Sequence, residues 1–275
     1  MPTNSNVEHE LKFVPSQVTQ IKLLASLQYD FMGDLIATIS GALGISDLYA
    51  LFPLGMEGIY DIYFDTESLD LFHEQNSLRV RHSGREIEIT IKKNRGVIGG
   101  EFKRDEYSIT CDQETLQDHI RDNFVEITRE HLPHLSGKAL EPVIIVKNSR
   151  RLFVMQLKDK TDGDIGFRAQ MSFDIFTLLN ARTGRSTNEM YELEIEALNE
   201  SASQRLTDIA SNIRVVAPDL KPSSTSKYVR GVQHFKLTKS LTVQTMDNWI
   251  QGAGFNWFSL ILAIVGFILT IIGLL

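Results

Sequence analysis

Glu8, Glu10 and Lys12 alternate along an extended segment close to the N-terminus, and a strand's period of two puts all three side chains on one face. Two carboxylates and an amine aimed at one place can hold a divalent cation beside an anionic group, the minimum equipment for phosphate chemistry. A half-buried strand with a solvated edge shows the same alternation, so the meaning of the triplet depends on what stands opposite it. His9 projects to the other face and reads as structural.

Charge is sorted by face further along the chain too. In residues 77–82, Leu78 and Val80 take one side while Arg79 and Arg81 take the other. In 86–92, Ile87, Ile89 and Ile91 oppose Glu86, Glu88, Thr90 and Lys92; in 191–198, Leu193, Ile195 and Ala197 oppose Glu192, Glu194 and Glu196. Further β-prone runs at 59–65, 102–110, 143–158 and 167–174, with reversals at Gly84, at Gly99 and Gly100 and at 161–164, predict an α+β fold with an antiparallel sheet of about eight strands. Helical spacing predicts two helices within 16–52, broken at Gly33, Gly41 and Gly44, and one each near 112–131 and 199–214. Two architectures suit this sorting. In a sandwich the apolar faces meet and the charged faces are solvated. In a barrel the charged faces turn inward and helices cover the apolar outside, which requires a bound ligand or close pairing to offset the cost of burying charge.

Composition narrows the function. The 275 residues carry a formal charge of -7, against a general nucleic-acid binder, whose basic excess neutralises phosphates. The single cysteine, Cys111, forms no internal disulfide and builds no cysteine-rich metal cluster, which suits a reducing compartment. Residues 255–275 contain no charge and are long enough to cross a hydrocarbon core of roughly 30 Å, so they are expected to form a C-terminal transmembrane helix. Trp249 and Trp257 suit the headgroup layer, and Lys236 and Lys239 suit a cytoplasmic flank, so the expectation is a tail anchor holding a cytoplasmic domain, with 237–254 as juxtamembrane linker.

The order of charged motifs resembles the CYTH domain, also called the triphosphate tunnel metalloenzyme family, over about residues 7–233. The motifs are Glu8-x-Glu10-x-Lys12, Tyr63-Phe64-Asp65-Thr66, Arg79-x-Arg81, Lys92, Arg104-x-Glu106, Lys147 with Arg150 and Arg151, Asp174, Glu192-x-Glu194-x-Glu196 and Ser226-Lys227-Tyr228. The resemblance implies an eight-stranded antiparallel barrel whose tunnel holds a triphosphate, formed by residues 1–236 with a helical insertion at 16–52 able to serve as lid, dimer surface or membrane contact. It implies a cradle of Arg79, Arg81, Lys92, Arg104 and Lys227, joined by Lys147 and by Arg150 or Arg151. Strict alternation pairs Lys147 with Arg151, and a bulge would select Arg150. Glu8, Glu10, Glu106, Glu192, Glu194 and Glu196 are the implied ligands of Mg2+ or Mn2+, and Lys12, beside Glu8 and Glu10, is the implied catalytic group that positions or deprotonates the attacking water. The expected activity is that of a membrane-anchored triphosphatase acting on inorganic or nucleoside triphosphate. An adenylate cyclase using the ribose 3'-hydroxyl and a tethered polyphosphate- or nucleotide-binding module are the alternatives.

Overall fold

The computed structural model describes residues 4–18, 32–45, 48–84, 86–98, 101–112, 117–157 and 167–239. Residues 1–235 form one compact unit; of a second, residues 236–275, only 236–239, with the 3-10 turn Leu237–Lys239, are described. The apolar segment 255–275 therefore lies outside the described residues, as does most of the first helix expected in the insertion. No helix among the described residues is long and apolar enough to cross a membrane.

The strands are β1 (Asn4–Pro15), β2 (Tyr49–Asp65), β3 (Ser77–Ser83), β4 (Glu86–Ile98), β5 (Glu101–Asp112), β6 (Glu141–Leu157), β7 (Arg168–Asn180), β8 (Met190–Ala197) and the short β9 (Leu220–Pro222). They pair antiparallel in the order β5-β4-β3-β2-β6-β7-β8-β1, and β1 also pairs with β5, so eight strands close into a barrel while β9 extends β1. Closure divides the work of β1. Glu8 stands opposite Arg104 of β5, Glu10 opposite both Phe102 of β5 and Glu196 of β8, and Lys12 opposite Glu194 of β8.

The helices are α1 (Met32–Leu43), α2 (Asp70–His73), α3 (Gln117–His131), α4 (Glu200–Val216) and α5 (Lys227–His234). Helix α4 starts where the Asn199 side chain accepts from the Ala202 amide, and its buried Ala202, Leu206, Ile209, Ala210 and Ile213 recur at helical spacing. That stripe and Ile39 and Leu43 of α1 pack on the outward residues Leu11, Phe13, Phe153, Met155, Met171, Phe173, Leu193 and Ile195. Helix α3 covers β4 and β5, where Asn123 Nδ2 donates to the buried Cys111 Sγ at 3.2 Å. The main core thus lies outside the barrel wall, beneath helices. Of the two architectures, the barrel with charge inward is the one adopted.

Two elements differ from the sequence expectation. The helical pattern expected up to residue 52 gives way at Tyr49, where β2 begins a long ladder with β6 from Tyr49 opposite Leu157 to Asp65 opposite Glu141. A register shift between Pro53 and Gly55 falls where proline lacks a donor and Gly55 takes a φ of 139°. Long-range pairing outweighs local spacing there. Helix α5, which no periodicity announced, packs on β6 and β7. Ser226 caps it by accepting from the Val229 amide, and a Cβ on Gly231 would come within 2.8 Å of Ile144, so only glycine allows this approach.

Candidate active site

The inward residues of the barrel surround a cavity of about 240 Å3. Strands β3 and β8 lie opposite each other in the closed order, so Arg79 and Arg81 face the acidic strand of Glu192, Glu194 and Glu196 across it. Thr90 and Lys92 of β4 and Arg104 and Glu106 of β5 line one side, and Arg150 of β6 and Lys227 of α5 the other, with Glu8, Glu10 and Lys12 on the closing strand between them. Arg79, Arg104, Lys12 and Lys227 are buried, as are Glu8, Glu10, Glu192 and Glu194.

Acids and bases meet in three groups. On β1, β4 and β5, Lys92 Nζ donates to Glu8 Oε1 at 2.5 Å and lies 3.5 Å from Glu106, while Arg104 Nε donates to Glu8 Oε2 at 2.9 Å and its guanidinium also pairs with Glu10. On β2, β3 and β4, Arg81 grips Asp61 in a fork of 2.7 and 2.9 Å, and Arg79 donates to Glu88 at 2.8 Å and to Thr90 Oγ1 at 3.1 Å. On β6, β7, β8 and α5, Arg150 makes a fork of two 2.7 Å bonds to Asp174 and reaches Glu194 at 2.5 Å. Lys227 Nζ lies 2.8 Å from Asp174, 2.5 Å from Glu192 and 2.9 Å from Glu194. Lys12 bridges groups, donating to Glu194 and standing 3.2 Å from Glu10.

These pairings set the ionisation of the site. Burial alone would raise the carboxyl of Glu8, but Arg104 and Lys92 outweigh it and hold the group well below the carboxylate range. Burial is likewise overcome at Asp61 by Arg81 and Arg79, at Asp174 by Arg150 and Lys227, and at Glu194 by Lys12, Lys227 and Arg150. Glu196 goes the other way: burial and the facing carboxylates Glu8, Glu106 and Glu194 lift it to about 7.

The structure decides between the two arginines without a bulge between Lys147 and Arg151. Arg150 is opposite Asp174 and faces inward, and the β6–β7 ladder runs in register from Ile144 to Gln156. Lys147, three positions away, therefore points outward and is exposed, and Arg151 is also outward, donating to Met56 Sδ at 3.3 Å. Both leave the expected cradle. The sequence reading left out Asp61, Glu88 and Arg230 and gave Asp174 no role. Glu88 stands on a charged face already identified, so its phase was the available signal, whereas the run 59–65 that holds Asp61 showed no sorting of charge.

Helix α5 delivers Lys227 to the cavity and Arg230 to Glu192, with which its guanidinium pairs. Tyr228 OH donates to Asp65 Oδ2 at 2.5 Å, and its ring stacks on Tyr63 at 5.4 Å. Asp65, fully buried, also accepts from the amides of Thr66, Leu71 and Phe72 at 2.7–2.9 Å, tying α5 to the start of α2. The Tyr63-Phe64-Asp65-Thr66 motif is thus a clamp for α5.

The residues fit an anion and a cation together. Arg79 Nε and Arg230 Nε and Nη1 are buried donors without a hydrogen-bond acceptor among the described residues, which suits an anionic ligand. Carboxylate oxygens of Asp174, Glu192 and Glu194 lie within 4.8 Å of one another, an all-oxygen donor set of the kind hard divalent cations take, and Glu196 near 7 marks a local excess of negative charge. Asp174 thereby joins the expected metal ligands, of which Glu8, Glu10, Glu106, Glu194 and Glu196 line the cavity and Glu192 is buried against Lys227.

A closed antiparallel barrel with basic and acidic walls around a buried cavity defines a charged-tunnel protein. The chain belongs to the CYTH domain family, whose match covers residues 54–232. Strand β1, with Glu8, Glu10 and Lys12, lies upstream of that span and joins it through barrel closure. No sequence among curated proteins matches the chain. Among solved structures, an adenylyl cyclase candidate from Hippeastrum, described as having a dominant triphosphatase activity, is 14% identical over 82% of this chain and 96% of its own, with a TM-score of 0.47. A candidate adenylate cyclase from Bacillus halodurans is 16% identical over 84% and 98%, with a TM-score of 0.46. The RNA triphosphatase of S. pombe is 12% identical over 81% and 88%, with a TM-score of 0.34.

Proposed function

We propose that this chain is a metal-dependent triphosphatase that hydrolyses inorganic triphosphate or a nucleoside triphosphate inside the barrel. One observation carries the reading: a single cavity is lined by arginines and lysines interleaved with carboxylates, one of which, Glu194, clusters with Asp174 and Glu192. Arg79, Arg81, Lys92, Arg104, Arg150 and Lys227 grip phosphate oxygens, the guanidinium groups in forks and the lysines as point charges. Asp174, Glu192, Glu194 and the β1 carboxylates hold Mg2+ or Mn2+. Bound there, the cation neutralises phosphate charge and lowers the pKa of a water. The bases of this cradle pair with its carboxylates, so a triphosphate held by the former would leave the latter available to hold the cation. Lys12, held between Glu10 and Glu194, then orients the attacking water beside the terminal phosphorus.

The test is release of products from tripolyphosphate and from ATP with Mg2+ or Mn2+. Orthophosphate supports the triphosphatase. Pyrophosphate with cyclic AMP makes the protein a cyclase, and tight binding without turnover makes it a binding module. We further propose that 255–275 anchors the domain to a membrane, supported by the absence of charge in that segment. Removing 241–275 should move the protein from the membrane pellet to the supernatant of fractionated cells, and an unchanged distribution would refute the anchor.

A further inference from the structure

A second cavity of about 320 Å3 adjoins the first, and the two share Ser77, Lys92, Arg104 and Ser226 as lining. The chemistry changes across that boundary. Tunnel walls are dominated by charge, whereas the second cavity is walled by the rings of Phe72 and Phe102, by Val97 and by the carboxamides of Gln75, Asn76 and Asn94. Among the described residues lining it, none is acidic. The carboxamides are held in place: Asn94 Nδ2 donates to Gln75 Oε1 at 2.8 Å, and Asn76 Oδ1 accepts from the Asn94 amide at 3.0 Å. Gln75 takes a left-handed φ of 59° as the residue that ends α2, where its amide donates to Phe72 O and that of Asn76 to Leu71 O, which fixes this wall of the cavity.

We propose that this cavity seats a neutral heteroaromatic base, so that the substrate is a nucleoside triphosphate rather than inorganic triphosphate. The proposal rests on the triphosphatase reading and specifies its substrate. A bare triphosphate is charge from end to end and has no use for an aromatic wall. A cationic ring would find no carboxylate on this cavity's wall to pair with, since Glu8, Glu10 and Glu106 are already held by Lys92 and Arg104. A nucleobase has a π-face for Phe72, the Phe102 ring lying under Arg104 at 5.0 Å, and edge acceptors for the amide nitrogen of Gln75, whose oxygen Asn94 holds. The volume lies within the usual range of ligand clefts, roughly 300–1,000 Å3. Lys92 and Arg104, at the junction, then meet the phosphate nearest the sugar.

The experiment measures kcat and KM of the full chain in detergent for ATP, GTP and tripolyphosphate, in the parent, Phe72→Ala and Gln233→Trp. Phe72 packs edge-on against Tyr228 at 6.5 Å, so its truncation could disturb α5; Gln233, exposed on α5 at the mouth, narrows the opening without touching that contact. The expected result is a parent preference for nucleotides and a rise in nucleotide KM of about tenfold in both variants, with tripolyphosphate kcat/KM within about twofold of the parent. A parent that prefers tripolyphosphate, or an equal fall for all three substrates in Gln233→Trp, overturns the proposal. If no substrate is turned over, the triphosphatase reading fails on its own. Calorimetric binding of the β,γ-methylene analogue of ATP then decides the mouth: weakening by Gln233→Trp with tripolyphosphate binding unchanged upholds it, and equal weakening of both refutes it.

Discussion

Glu194 accepts from Lys12, Lys227 and Arg150, so it holds three bases from three separate elements. Removing its charge leaves those bases uncompensated in a buried site, where breaking one partner of an ion pair costs about 3–5 kcal/mol. Glu194→Gln should therefore lower the melting temperature and, if Glu194 holds the metal as proposed, reduce kcat by about 100-fold; parental kcat would remove Glu194 from the proposed metal site. The adjacent arginines give a sharper contrast. Arg150→Lys loses the two-bonded grip on Asp174 and should lower kcat/KM by about tenfold or more, whereas Arg151→Lys, on the outer face, should leave it unchanged. Reversal of that order would contradict the inward assignment of Arg150. The sequence could not resolve this pair for a definite reason. Val143, Ile144, Ile145 and Val146 are all buried, so β6 enters the site apolar on both faces and its alternation carries no phase.

At the scale of elements, α5 is the component whose position matters most, because an eight-residue helix is not stable alone and depends on what it docks against. Its anchors are the Tyr228–Asp65 hydrogen bond, the stack on Tyr63 and the close pass of Gly231 over Ile144. Tyr228→Phe leaves a buried Asp65 oxygen without its hydroxyl donor and should cost about 1–3 kcal/mol in urea unfolding, with a drop in kcat/KM as Lys227 loses its placement. Gly231→Ala forces a methyl into Ile144 and should cost about 1–3 kcal/mol, read as a lower melting temperature; a neutral result would mean that α5 shifts freely. Both tests separate a docked helix from an ornamental one. Periodicity could not reveal α5, since its buried residues, Lys227, Tyr228, Gly231 and Val232, include a charge and a glycine and form no apolar stripe.

Across the whole molecule, the pairing of acids with bases makes stability depend on pH in a definite direction. Glu8, Asp61, Asp174 and Glu194 have carboxyls depressed in the fold, so they stabilise it above the unfolded range near 4, and that stabilisation is lost as pH falls below it. Glu196, raised to about 7, keeps its proton in the fold while the unfolded chain loses it above about 4.3, so its contribution weakens stability as pH rises toward 7. Denaturant titrations from pH 3 to 8 should show a steep acid limb, and Glu196→Gln should flatten the decline between about 5 and 7 while keeping that limb. Chelation by EDTA should abolish turnover and Mg2+ or Mn2+ restore it; activity undiminished by chelation would remove the metal from the mechanism. By itself the sequence determined which side chains share a strand face, because alternation is a local property of extended backbone, and with it the sorting of charge that marks the family. The tertiary structure decided whether those faces turn inward, because the closing pairs of β1 with β5 and β8 join distant segments. It also decided which acid meets which base: Lys12 and Glu194 are 182 residues apart, and no spacing along a chain encodes a contact made only when a barrel closes.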